Sequence, residues 1–532
     1  MATVYWEGDD SADSSVGSNW SSGSVPGASD DVILDNSSTG GCTFAQDHTF
    51  ASFTVSSNWD QALNFNGYDL TCSGNIYLDA AVAGSIDFTS SVSLLTITGD
   101  ANFYAYDGDD YTGASDYCSV QLEGTGDYYT DSTNWDNRTL RCAYPGKRTT
   151  YNGSKFISVD RLYLMGGILD VAAKQVAVWI TNPGDFATVA GTTIDGDSNL
   201  EIRSNYAGTV SIDGFGAEAT RTGLLRFLPN TNNAVMNFDG DIDNGSGKIL
   251  IRYARDDCIV DFNDYDVSTT GPFTIDVDSG DTGNVLNCGS GDITIGDWVF
   301  DDLEGGLTVN LESSYWYIGG SVDFATNVTG SFTFNADSAV WEFTGSGAET
   351  LEPDGKTMPD IIVNKSGNGL TLSSALTCGD LTLTDGTFNT GNYAVTCVDL
   401  AVNTSDTKTF GTSVWTASGN GTYSVDVTFQ RLILSSATTH TFTGGITFTL
   451  TSYTSGDWNG TNLVQAGSGQ WDFVNPASMT VTGIDVEYSN ASNTIDATDP
   501  SNTDSGNNTG WNFGVVATII PLIIHQMRMR RK

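Results

Sequence analysis

Apolar and polar residues alternate along this chain in short bursts. SLLTITG (93–99), DLTLTDGTF (380–388), GGITFTL (444–450) and MTVTGIDVEY (479–488) set Leu, Ile, Val or Phe against Thr and Asp at nearly every second position. A period of two places one side-chain row inward and the other outward, the pattern of half-buried strands. No stretch sustains apolar positions at i, i+3, i+4 and i+7, so helices are not expected. The bursts are separated by Gly, Asp, Asn and Ser clusters that read as turns. The fold class predicted is all-β.

The bursts also repeat. LTCSGNIYL (70–78), LNCGSGDITI (286–295), LTCGDLTLT (376–384) and VTCVDLAVN (395–403) each run from an apolar–polar–Cys step through a bend into an alternating strand. The same bend without Cys recurs at Ile97, Ile318, Phe442 and Val481. Cys378 and Cys397 mark consecutive copies. A strand-and-turn unit of about 20 to 30 residues is the size of one coil of a β-solenoid. Strands of successive coils then pair in parallel about 4.8 Å apart, and equivalent side chains form columns. The alternative architecture is a string of β-sandwich modules. Stacked Cys378 and Cys397 fall near the separation a disulfide accepts; buried thiols packed as small apolar residues are the other reading.

Four segments are expected. Residues 1–105 form a capped first solenoid stretch. Within it NWSSGSVPGASDDVILD (19–35) reads as a cap: Trp6 and Trp20 lie across the first coil, Pro26 turns the chain, and Val32 to Leu34 open the first strand. An uncovered solenoid end would expose apolar core and unpaired strand edges. Residues 106–155 lack clean alternation and read as an irregular excursion. Residues 156–512 form the main solenoid, and 513–532 an apolar-then-basic tail, FGVVATIIPLII followed by HQMRMRRK. The opening MATVYWEGDD has neither the basic nor the apolar region of a signal peptide. The tail is too short to span a membrane alone, and membrane contact is expected only through it.

Charge narrows the partners. The chain of 532 residues carries 65 acidic and 21 basic residues, a net charge of −44. A polyanion of this strength repels phosphate backbones, which argues against nucleic acid. Met1 to Asp136 holds 21 acidic residues and no Lys or Arg, whereas 13 of the basic residues fall between Arg138 and Arg255.

That change of sign sits in the excursion, where Tyr129, Trp135, Arg138, Arg141, Tyr144, Lys147 and Arg148 put aromatics beside the first cations. Aromatic rings stack on sugars, and Arg offers a planar donor fork, so this set is the candidate ligand site. The bland alternative is that these cations neutralise nearby Asp. Cys118 and Cys142 could clip the loop as a disulfide. For metal, Asp239, Asp241 and Asp243 have the alternate spacing of a calcium-binding loop, but Leu250 stands where such a loop would end in an acid; calcium is the one cofactor suggested. Asp-rich turns arise equally from local hydrogen bonding. The three His are isolated and no nucleophile or metalloprotease motif occurs, so no catalytic residue is assigned.

The segment WEFTGSGAETLEPDGKTMPDIIVNKSGNGLTLSSALTCGDLTLTDGTFN (341–389) resembles repeats of large bacterial surface proteins and phage virion proteins. Asn19-Trp20, Val25-Pro26 and Asp30 to Ile33 resemble the start of the same group. The resemblance implies a right-handed parallel β-helix and a homo-oligomer such as a trimer. With no catalytic motif and no signal-peptide pattern, the function expected is that of a non-enzymatic virion appendage, a tail fibre or spike that contacts a host-surface glycan or protein outside the cell. A surface-layer or adhesin subunit held by its tail, and a polysaccharide depolymerase, are the alternatives.

Overall fold

The computed structural model describes residues 1–79, 84–89, 91–106, 111–112, 117–130, 136–151, 157–171, 176–180, 186–189, 191–217, 221–404, 406 and 408–514. Trp135 and the tail from 515 onward lie outside the described residues. Apart from the short 3-10 turn Gly17–Asn19, the named elements are almost entirely strands. The strand ladders are parallel, which replaces the sandwich alternative with a β-solenoid. The chain divides into two compact units, one of Met1–Ile362 with Ser366–Asn368, the other of Val363–Lys365 with Gly369–Lys532.

In the first unit each turn contributes two or three strands to separate parallel ladders. One turn runs Leu225–Pro229, Val235–Phe238, Ile242–Asp243; the next runs Ile249–Tyr253, Ile259–Asp261, Val267–Ser268. Register fixes the turn length: Leu225 pairs with Ile249, and Ile249 with Phe273, so these two turns are equal. Near the N-terminus the step varies, being shorter from Val32 to Phe53 and longer from Ile76 to Phe103. The second unit varies too, with a short turn from Leu381 to Leu400 and a longer one from His440 to Leu463.

Alternation decides what is inside. In Asp31–Leu34 and Ser52–Val55, Val32, Leu34, Phe53 and Val55 are buried, while the residues between them face outward. Inward rings stack within a column, as Phe65 on Phe88 at 4.7 Å, and between ladders across the core, as Trp298 on Trp316 at 4.6 Å in the first unit. Phe442 lies on Trp471 at 3.9 Å in the second. Each such ring contributes roughly 2–3 kcal/mol by burial, plus about 1 kcal/mol from ring contact.

The first turn is closed by Trp6 and Trp20, both buried, edge to face at 4.8 Å. Their indole N–H groups donate to the carbonyls of Gly40 and Ser14. Pro26 is buried too, but Val32 to Leu34 do not open the first strand: Thr3–Tyr5 precedes them and pairs in parallel with Asp31–Leu34.

The stretch 106–155, read as an excursion, contributes strands to the ladders through its described residues. Cys118–Leu122 pairs with Asp136–Cys142, and Gly126–Thr130 with Arg148–Tyr151. Its alternation is faint in sequence because residues such as Cys118, Tyr128 and Thr149 occupy buried positions that Leu, Ile and Val hold elsewhere.

Register also corrects the loop disulfide. Ser119 pairs with Thr139 and Gln121 with Arg141, so Cys142 stands beside Leu122, four positions along from Cys118. Four strand residues span about 13 Å, beyond the reach of an S–S bond. Cys378 and Cys397 do stack, since Leu376 pairs with Val395 and Thr377 with Thr396. Their sulfurs turn instead toward the carbonyls of Thr396 and Thr416, and all eight cysteines are buried thiols.

Candidate functional site

Outward side chains at equivalent positions of successive turns create the flank surfaces. In the first unit, the corner leading into Ile242–Asp243, Val267–Ser268, Asp292–Ile295 and Tyr315–Ile318 is hollowed into a groove of about 760 Å³. Six successive turns line it: Thr188 and Thr192; Asp213 and Phe215; Asp239, Asp241 and Asp243; Asp266 and Ser268; Asp292 and Thr294; and Tyr317. Asp243, Ser268, Thr294 and Tyr317 form one column, each directly paired with the next.

The carboxylates are partly structural. Asp241 accepts the backbone N–H of Asp266 at 3.0 Å, and Asp266 accepts that of Asp292 at 2.8 Å. Asp213 accepts the N–H of Thr188 at 3.0 Å, and Asp243 that of Gly245 at 2.8 Å. Each bond occupies one lone-pair direction of a group that has about four. Six carboxylates, several hydroxyls and the rings of Phe215 and Tyr317 therefore share one open channel. Such a surface can hydrogen-bond hydroxyl or amino groups and repels anions.

Asp239, Asp241 and Asp243, suggested by spacing as calcium ligands, do meet at this groove. Gly240 makes a bend between the first two, and only Asp243 lies on a strand, Ile242–Asp243. Among the described residues no group of three or more His, Cys, Asp or Glu is arranged to hold a metal.

The aromatic and basic set is spread over several surfaces. Arg138 and Arg141 lie on Asp136–Cys142, with the Arg141 guanidinium 5.3 Å from the Tyr163 ring centre. Tyr144 follows at the corner, half-buried. Lys147 pairs with Asp100 at 2.8 Å, and Arg148 with Asp170 at 2.7 Å and Asp195 at 2.8 Å. Those last two cations thus neutralise carboxylates one turn (Asp170) and two turns (Asp100 and Asp195) away. They also edge a hollow of about 310 Å³ with Thr125, Gly146, Gly167 and Thr193. Tyr129, on the outer face of Gly126–Thr130, shares the ladder of the Arg148 strand but not that of Arg138 and Arg141.

Further basic residues between Arg138 and Arg255 are used the same way. Glu201, almost wholly buried, bridges Arg203 at 2.6 Å and Arg226 at 2.8 Å, and Arg203 lies 5.2 Å from the Trp179 ring centre.

Sequence reading missed Asp213, Asp266, Asp292 and Tyr317. The available signal was spacing: Asp241, Asp266 and Asp292 stand at the entry to the third strand of successive turns at steps of 25 and 26. It likewise missed an amide ladder on the neighbouring face. Asp261, Asn287, Asn310 and Asn335 pair in register, with amide donors at 3.3, 2.8 and 2.7 Å from the preceding side-chain oxygen.

No family model matches the chain, and neither the curated proteins nor the solved structures include a match.

Proposed function

We propose that this is a non-enzymatic structural and binding protein of an exterior surface, a virion appendage of the fibre or spike type, that engages a host-surface glycan along its flank. The observation carrying this reading is the groove of Asp213 to Tyr317, open to solvent and crossing six successive turns. A chain-like ligand matches a site built by translation, because each turn offers a similar set of donors and acceptors about one rung further on. Its carboxylates favour neutral or amino-bearing sugars over the uronates that a basic site would choose. The parallel ladders keep this surface rigid, so little ordering is required on binding.

The test is retention on immobilised polysaccharides, with neutral, amino-sugar and uronate polymers compared. Retention on neutral or amino-sugar polymers, weakened at least tenfold by Tyr317→Ala with Asp241→Asn, supports the reading. Equal retention by this variant and the parent removes the groove from it. Antibody decoration of virus particles, as against cell envelopes, separates a virion appendage from a surface-layer or adhesin subunit.

A second reading, polysaccharide cleavage, is favoured by the gathering of six carboxylates, since glycoside hydrolysis uses two acids across a bound sugar. New reducing ends after incubation with a retained polysaccharide would establish it; persistent absence of them would retire it.

A further inference from the structure

We propose that Tyr77 and Tyr104 form an oxidative cross-linking site, at which a one-electron oxidant joins two successive turns of the solenoid by a carbon–carbon bond. Tyr77 pairs in register with Tyr104, and Tyr104 with Tyr129, on the outer face of one parallel ladder. The flanking Ile76, Leu78, Phe103 and Ala105 point inward and are buried, while the tyrosines are half-buried. The Tyr77 and Tyr104 rings are stacked at 4.4 Å and 7°. Tyr106 extends the group, 5.7 Å from Tyr104 and 5.0 Å from Tyr129.

These rings cover one another's faces, so the group is poorly made for stacking on a sugar. Its geometry suits radical chemistry instead. Removing one electron and one proton from each phenol leaves spin density on the ring carbons ortho to oxygen. Coupling two such carbons forms one C–C bond; the two ring C–H bonds are then lost and the two phenol O–H bonds re-form as the rings regain aromaticity. Overall two electrons pass to the oxidant and two protons to solvent. For free phenols the second encounter is diffusional, whereas the ladder holds the partner ring in van der Waals contact beforehand, the advantage of any fixed pair. The Asn102 amide donates to the Tyr104 hydroxyl at 2.8 Å and fixes that ring's position. Tyr315 and Tyr317 are a less suitable pair: their planes are inclined at 42°, and the Tyr315 hydroxyl donates to Glu342 at 2.6 Å.

The experiment exposes the full chain to a light-driven ruthenium–bipyridine complex with persulfate as the one-electron oxidant. Dityrosine fluorescence is followed, and cross-linked peptides are mapped by mass spectrometry. The expected product migrates as a monomer and links the peptide holding Tyr77 to that holding Tyr104, with the mass of two hydrogens lost. Tyr104→Phe, which keeps the stacked ring, should remove most of this fluorescence, and Tyr393→Phe, at an exposed tyrosine outside the ladder, should leave it unchanged. Cross-links confined to intermolecular species, or a Tyr104→Phe yield equal to the parent's with the variant folded, would overturn the proposal.

Discussion

Ser14 Oγ and His48 Nε2 lie 2.7 Å apart, both buried beneath the tryptophans of the N-terminal cap. Burial holds the His48 imidazole down to about 4, against the weaker upward pull of Asp47. In the second unit His440 is equally buried, 3.1 Å from Thr438 Oγ1, and burial lowers it to about 4 as well.

Both histidines make stability fall with acid. Their folded values lie below the unfolded 6.5, so between pH 6.5 and 4 the unfolded chain binds more protons and is favoured as pH falls. Their contribution is complete above about 6.5 and lost by about 4, on the order of 3 kcal/mol for each. Asp276, Asp281 and Glu312, raised chiefly by burial, act in the opposite direction. The histidine share is therefore read from variants. Urea midpoints at about pH 7 and about pH 4.5, on either side of most of this window, should differ clearly for the parent and less for His440→Gln. Identical pH dependence in both would show that His440 is not buried in neutral form.

Turn glycines differ sharply in what they tolerate. Gly289 has φ +66°, and a Cβ there would sit 1.0 Å from the Asn263 carbonyl oxygen of the preceding turn. Gly280 has φ +88° with nothing within 4 Å of a Cβ. Gly280→Ala should cost only about 1–2 kcal/mol for its left-handed backbone. Gly289→Ala forces two turns apart and should exceed about 4 kcal/mol, read as a loss of soluble protein or a large drop in midpoint. Comparable costs at the two sites would contradict the stacking of these turns.

The amide ladder offers a graded test. Asn310 donates to Asn287 and accepts from Asn335, whereas Asn335 makes only the one donated bond of that chain. Asn310→Ala should cost about 1–3 kcal/mol and Asn335→Ala about 0.5–1.5 kcal/mol, at about 1 kcal/mol per bond. Denaturant midpoints for the two variants give the order directly; a reversed order would mean that the ladder does not stabilise this face.

How much of this was legible depended on distance along the chain. The inward column at Cys378 and Cys397 was readable because the bend repeats after one short turn, and the stacking of Thr377 on Thr396 follows from it. Trp6 and Trp20 were readable because their cap is local. The partners of Lys147 and Arg148 were not. Asp100 and Asp195 lie two turns away from them, and turns of unequal length prevent columns from being counted in advance. The groove was hidden because its acids come from separate turns, although those turns are nearly equal in length. Asp239, Asp241 and Asp243 stand out in sequence as a local run, whereas Asp213, Asp266 and Asp292 reach them only through register.

Thiol chemistry checks the burial of the inward columns independently. Burial pushes the thiols of Cys72, Cys142 and Cys397 up to about 12 and that of Cys258 up to about 11. The thiolate is the reactive form, so its scarcity compounds the lack of access. In native protein under mildly alkaline conditions none of the eight cysteines should react with a disulfide reagent or iodoacetamide over hours, and all eight should react in guanidinium. Reducing agent should leave the unfolding midpoint unchanged, since no S–S bond is there to break. A midpoint lowered by reductant would restore a bond between Cys378 and Cys397, whose strands already stand in register; rapid labelling of Cys142 would show that the turns at 118–142 open to solvent.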